Sequence, residues 1–180
     1  ATGQDPPRQV THAGQEPLRE PGKALRDMVA YSPYPAPLTD EMWTLLHYNP
    51  ALNAWLGGWC DEADPADRHL VSYLFSKGAS DFLPDVHAVR RLGVAMLRYQ
   101  YTHNLASRGF SSLVARLTAS SADAADLWSR HEVAFPPHEY PVRLRHADHG
   151  VINGSLLFVP VSPQLWTFTM VVPPGIQPPA

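Results

Sequence analysis

Residues 140–172 read YPVRLRHADHGVINGSLLFVPVSPQLWTFTMVV, and the two-residue period of this stretch decides the fold class. Tyr140, Val142 and Leu144 alternate with Pro141, Arg143 and Arg145, as in a strand that lays one face on a core. The polar residues from His146 to His149 read as a turn. Val151 to Val161 contains a second strand and Leu165 to Val172 a third, with Pro173-Pro174-Gly175 ending the fold. Strands this close in sequence predict an antiparallel sheet.

Upstream the period changes to that of helices. The chain has 19 prolines, yet none between about residue 85 and residue 135, so long helices fit there. Pro84-Asp85 is expected to open the longest one, Val86 to Ser107, with Val86, Val89, Leu92, Gly93, Met96, Leu97 and Tyr101 near one stripe. Phe110 to Ala119 follows, through Leu113, Val114 and Leu117. Ser120-Ser121 then caps Ala122 to His131. Asp64 to Phe75 reads as an earlier helix, with Asp64 as cap, Pro65 at the first position and Leu70, Val71, Leu74 and Phe75 as its apolar face.

Before that, Gly22 to Ser32 predicts a short entry helix with Leu25, Met28 and Val29 on one face. Pro33, Pro35 and Pro37 force an extended path after it. Thr39-Asp40-Glu41 is a turn signal and Met42 to Tyr48 reads as a strand. Asn49 caps a short helix from Ala51 to Leu56 with Pro50 at its start, and Gly57-Gly58 stops it. The fold class is therefore α+β: an extended segment and a strand, four to five helices, then three more strands. Residues 1–22 are polar with scattered Gly and Pro and read as a flexible linker or tail, residues 23–175 as one domain, and residues 176–180 as a tail. The chain starts at Ala1 without an initiator methionine, which suggests a fragment or processed form.

A net charge of -3 over 180 residues argues against nucleic-acid binding by this chain alone, because phosphate contacts need a concentrated basic face. No apolar run reaches the length of a membrane span, and Ala1 to Glu20 lacks the apolar core of a signal peptide. The lone Cys60 fits a reducing cytoplasm and reads as an inert thiol.

Signatures of catalysis are absent: there is no GxSxG, no GxxxxGK and no CxxC, and the chain reads as a non-enzyme without a cofactor. His131, His138, His146 and His149 lie close together with Asp148, but in no standard zinc spacing; they read as solvated loop histidines rather than a metal site. Arg90 and Arg91 read as the wet face of the long helix, while Arg98 could point either way. Arg143 and Arg145 share one strand face, where they could receive a carboxylate or stand as a solvated edge. The large aromatics Trp43, Trp55, Trp128, Phe158, Trp166 and Phe168 flank the expected elements, and a helix-covered sheet lined by such residues can be solid or hollow.

Six pieces together resemble the MmyB-like ligand-binding domain of bacterial helix-turn-helix transcription regulators. They are HYNPALNAWLG at residues 47–57, YLF with FLPD at residues 73–85, MLR at Met96 to Arg98, LWSRHEV at residues 127–133, VRLRH at residues 142–146 leading to Gly150, and LWTFTMVVPPG at residues 165–175. Order and spacing hold from about residue 23 to residue 175. The chain departs from the family pattern at Ala147, where proline commonly follows the histidine, and at Met170, where a tyrosine is usual.

The resemblance implies a PAS-like antiparallel sheet covered by helices, with an internal apolar pocket. It also implies a cytoplasmic sensor coupled to an N-terminal helix-turn-helix of the xenobiotic-response type, absent from this chain, through which DNA would be reached. The expected ligand is a small apolar or amphipathic molecule, fatty-acid-like. Predicted facing assigns the wall to Trp43, Leu45, Leu74, Phe75, Met96, Leu97, Trp128, Leu156, Phe158 and Phe168, with Arg98 or Arg145 near a polar head group. A homodimer is the expected assembly. The alternative is a dimerisation or protein-interaction module with a solid core, using Leu25, Met28 and Val29 as contacts.

Overall fold

The N-terminal part of the fold is a helix laid on a hairpin. In the computed structural model, which describes residues 21–104, 108–162 and 164–177, helix α1 (Lys23–Ala30) buries Val29 and half-buries Leu25, while Met28 faces solvent. The proline-rich path after it leads into strand β1 (Pro37–Asp40), which pairs antiparallel with β2 (Leu45–Tyr48). Residues 1–20, which make up nearly all of the expected linker, lie outside the described residues.

Thr39 and Asp40 are the end of β1 rather than the turn expected there, and the second strand begins at Leu45 rather than Met42. The Asp40 carboxylate explains both shifts. It accepts hydrogen bonds from the backbone amides of Met42 (2.9 Å) and Thr44 (2.8 Å), so the turn runs over residues 41–44 with aspartate at its head. Within it Trp43 takes φ 65, the left-handed region that favours glycine.

Asn49 caps helix α2 (Pro50–Trp55) as the sequence predicts, accepting from the Leu52 amide at 3.0 Å. Gly57 and Gly58 follow with φ of 65 and 83. A further one-turn helix, α3 (Trp59–Glu62), comes next. The helix expected over Asp64 to Phe75 is divided: Pro65–Asp67 is a 3₁₀ turn, and α4 is only Leu70–Tyr73. Tertiary pairing overrides local propensity here. The Arg68 carbonyl accepts from the Leu45 amide at 2.7 Å, and His69 bridges to Thr44, so the chain at 68–69 is held extended against the β1–β2 turn.

Ser76 caps α5 (Lys77–Phe82), a helix not foreseen in the sequence. The long helix α6 runs Val86–His103; its expected end at Ser107 lies outside the described residues. Helix α7 (Arg108–Ser120) buries Phe110, Leu113 and Leu117, and α8 (Ala122–Ser129) is capped by Ser121. α8 stops two residues before the expected His131, which itself has φ 55.

Strands β3 (Glu139–His146), β4 (Gly150–Ser162) and β5 (Leu165–Val171) complete one antiparallel sheet in the order β2-β1-β5-β4-β3. The fold is α+β, as expected from the change of period. Alternation along β5 sends Trp166, Phe168 and Met170 toward the helices α2–α8, whereas Leu165 packs on the other face with Val29, Ala36, Leu38 and Val161 under α1. Gly154 in β4 is required by a close approach: a Cβ there would stand 2.8 Å from the Val171 carbonyl oxygen.

Candidate functional site

The helix-side core is built as three clusters that do not fully merge. One joins Trp43, Val71, Met96, Leu97 and Phe158 to α7 and α8. A second joins Tyr73, Leu83, Val89, Val142, Leu144 and Met170. The third holds Leu45, Leu52 and Cys60. Where they meet, a cavity of about 110 Å³ remains. Its floor is Val142 and Leu144 of β3, Leu156 and Phe158 of β4, and Phe168 and Met170 of β5. Register places Leu156 opposite Met170 and Phe158 opposite Phe168, so these four side chains form one patch of the sheet. Its roof is Leu70, Val71, Tyr73 and Leu74 around α4, Phe82 and Leu83 at the end of α5, and Val89, Leu92, Gly93 and Met96 of α6. Leu52, Leu56 and Trp43 close the side.

Gly93 lets α6 approach α4: a Cβ there would lie 2.7 Å from Leu74 Cδ1. Trp43 is 2% exposed and fixed from several sides. Its amide donates to the Asp40 carbonyl (3.1 Å), its carbonyl accepts from the Leu70 amide (3.0 Å), and its ring lies 5.9 Å from both Phe158 and Trp166. Such over-determination holds a bulky residue in a conformation that costs on the order of 1–2 kcal/mol.

Of the twelve residues assigned to the ligand from sequence, Trp43, Leu74, Met96, Leu156, Phe158 and Phe168 line this cavity. The other six lie elsewhere. Leu45 packs with Leu52 and Cys60, because β2 starts two residues beyond Trp43 and turns that side chain toward α2 and α3. Phe75 packs against the first cluster under the Arg90 guanidinium, 5.2 Å from its ring centroid. Leu97 points along α6 toward the α7–α8 side of the core, with Trp128 partly buried against the same cluster.

Arg98 is also turned to that side. It stacks 3.8 Å over Trp128, donates to the Trp128 carbonyl, and donates to His131 Nδ1 at 3.1 Å. There it serves the last turn of α8, a position that favours a cation. Arg145 is exposed on the outer face of β3, since the alternation that buries Val142, Leu144 and His146 sends it away. Neither arginine lines the cavity.

Leu52, Leu56, Leu70, Val71, Tyr73, Phe82, Leu83, Val89, Leu92, Gly93, Val142, Leu144 and Met170 line the cavity and were not assigned to it from sequence. Val89, Leu92, Gly93 and Met96 were nevertheless visible as one stripe at helical spacing, and that stripe is the signal that locates the roof.

Other charged groups are structural. Arg90, expected on the wet face, is buried; it donates to the Leu74 carbonyl (2.7 Å) and Ser80 Oγ (2.9 Å) and pairs with Asp123 at 3.2 Å. Arg91 is exposed and pairs with Glu132. Arg143 does receive a carboxylate, that of Asp85, through two hydrogen bonds of 2.5 and 2.6 Å. This partner holds the Asp85 carboxyl below its ordinary range.

His146 is not a solvated loop residue: it is buried at the end of β3, with Nε2 2.9 Å from the Gln177 carbonyl, Nδ1 accepting from the Asp148 amide, and its ring 5.6 Å from Trp55. Among the described residues no three His, Cys, Asp or Glu side chains come together as a metal site, and no helix is long and apolar enough to cross a membrane. Burial, aided by Asp61, pushes the Cys60 thiol up to about 12 and leaves it unreactive.

The model of the MmyB-like transcription regulator ligand binding domain matches residues 22–177, which includes every strand and α-helix above. The chain belongs to this family. The match makes the MmyB-like domain the ligand-binding, regulatory part of a transcription regulator, and a small-molecule ligand and a DNA-binding partner domain come with that assignment. No curated protein matched the chain in sequence.

Proposed function

We propose that this MmyB-like domain senses a small apolar or amphipathic molecule, fatty-acid-like, held between the sheet and α4–α6, and that occupancy alters an attached helix-turn-helix domain through which DNA is bound. The observation that carries this reading is the cavity itself. Interiors pack to near-crystal density, and an apolar hollow of about 110 Å³ at the junction of three clusters forfeits contacts that a guest would restore. The strand order, with most helices on one face, supports the PAS-like reading, and the regulator is a cytoplasmic protein that binds and releases its ligand without chemistry. A ligand that prefers one arrangement of the short helices α4 and α5 over another shifts their population and so reaches the attached domain.

Native mass spectrometry of the purified domain tests this. A small molecule carried through purification is expected, and it should be lost from Leu156→Trp, which fills the cavity floor, and from Gly93→Ala, which drives Leu74 into the hollow. A domain of bare mass that also gains no thermal stability from any apolar compound would sink the reading.

Self-association is a second element of the proposal, and the exposed apolar side chains of Met28, Tyr31 and Tyr34 favour it. They follow one another along α1 and its exit, outside the face that carries the cavity.

A further inference from the structure

We infer that Arg90 is the positioning residue that holds the roof of the cavity down and so sets the length of ligand that the domain admits. This rests on the proposed ligand-binding role of the cavity and adds a control to it.

The hollow of about 110 Å³ is smaller than the roughly 150 Å³ apolar cavity that holds benzene, and a long acyl chain needs several times that space. A fatty-acid-like guest therefore enters only if a wall moves. The floor is fixed by the pairing of β3, β4 and β5 along their length. On the other side α6 is one helix of 18 residues. The rest of the roof is the segment of residues 70–83, built on α4 and α5, helices of four and six residues. Helices this short have little stability of their own.

Both ends of that segment are anchored. The Leu70 amide donates to the Trp43 carbonyl at 3.0 Å, and just past the segment Asp85 is clamped by Arg143. Between these anchors, among the described residues, the hydrogen bonds that leave the segment and its own caps run to Arg90 alone. Arg90 is buried on α6. Its Nε donates to the Leu74 carbonyl at the end of α4, its Nη2 to Ser80 Oγ in α5, and its guanidinium lies over the Phe75 ring. Nη1 reaches Asp123 in the first turn of α8, so the latch is braced from outside the roof. One side chain thus gathers both roof helices onto α6. The closed roof stands against a cost: the Tyr73 hydroxyl on α4 is buried without a partner, as is the indole N–H of Trp43 at the side of the cavity. An outward swing of α4 and α5 gives the Tyr73 hydroxyl water or the polar end of a guest.

Hydrogen exchange, and calorimetry with hexanoate and dodecanoate as probes, test this on the purified chain, comparing wild type with Arg90→Met. Without ligand, exchange is expected to quicken about tenfold or more at the amides of residues 72–83 and to stay unchanged in β3–β5. Dodecanoate should bind Arg90→Met roughly tenfold more tightly, because the open roof is already populated, and hexanoate should gain less. Ser80→Ala removes one arm of the latch and should move both readouts the same way by less; it carries the test if Arg90→Met does not fold. Roof exchange no faster than in wild type, or a gain for dodecanoate no larger than for hexanoate, would overturn the role of Arg90 and leave the cavity a ligand site. If neither acid binds either protein, the ligand-binding reading falls and the size control with it.

Discussion

Asp40 and His69 are both buried beside the β1–β2 turn, each held to Thr44, and titrate in opposite senses. Burial lifts the Asp40 carboxyl from 3.8 to about 6, and burial lowers His69 from 6.5 to about 4. For Asp40 the folded state holds its proton more tightly than the unfolded chain, so its contribution to stability is complete below about pH 4 and is lost as pH rises through 6. For His69 the contribution is complete above about 6.5 and is lost as pH falls toward 4. Each shift corresponds to about 3 kcal/mol, and the two nearly cancel over the same window. Chemical denaturation of the wild-type domain should therefore give a nearly constant stability from pH 4 to 6.5. Asp40→Asn, which keeps an acceptor for the turn, should lose stability on acidification. His69→Asn, which keeps a cap for α4, should gain it. A level profile in Asp40→Asn would show that the balance does not exist.

At the scale of elements, Asn49 ties three of them together. Its side chain accepts from the Leu52 amide of α2 and the Ala36 amide before β1, and donates to the carbonyls of Ser32 and Tyr34 after α1. Asn49→Ala removes a cap worth about 1 kcal/mol and orphans buried partners at about 1–3 kcal/mol more. Urea unfolding should show a loss of roughly 2–4 kcal/mol, well beyond a cap on an isolated surface helix. That cap was legible in Asn49-Pro50, because capping is a local property.

The alternation of β3 and the stripe of α6 were legible for the same reason. The division of the 64–75 segment was not, since it depends on the Leu45 amide finding the Arg68 carbonyl across the fold. The short helices α3 and α5 lack the length over which a helical period shows. The candidate site divides along the same line. Facing read from periodicity brought Met96, Leu156, Phe158 and Phe168 to the cavity, whereas Arg98 and Trp128 went to the end of α8 for a pairing that only the tertiary arrangement creates.

For the whole molecule, the two faces of the sheet have separate tasks. The helix-covered face holds the cavity, and the opposite face carries α1 with Tyr31 83% exposed and Met28 49% exposed. If self-association uses α1, Met28→Asp combined with Tyr31→Asp should lower the mass seen in light scattering to that of one chain. The same variant should keep the small molecule expected to be carried through purification, because neither residue touches the cavity. A mass unchanged by the double substitution would remove α1 from the interface.

Strand β5 is the last element in the chain and the middle strand of the sheet, joining the β1–β2 hairpin to the β3–β4 hairpin. During synthesis the two hairpins are complete before anything can connect them. Each presents an unsatisfied edge until Val171 has left the ribosome, and the partnership of Leu38 with Thr167 closes a loop spanning most of the polypeptide. Completion of this sheet thus waits on β5: a nascent chain halted at Ser162 has both halves of a sheet and no strand to hydrogen-bond them to each other.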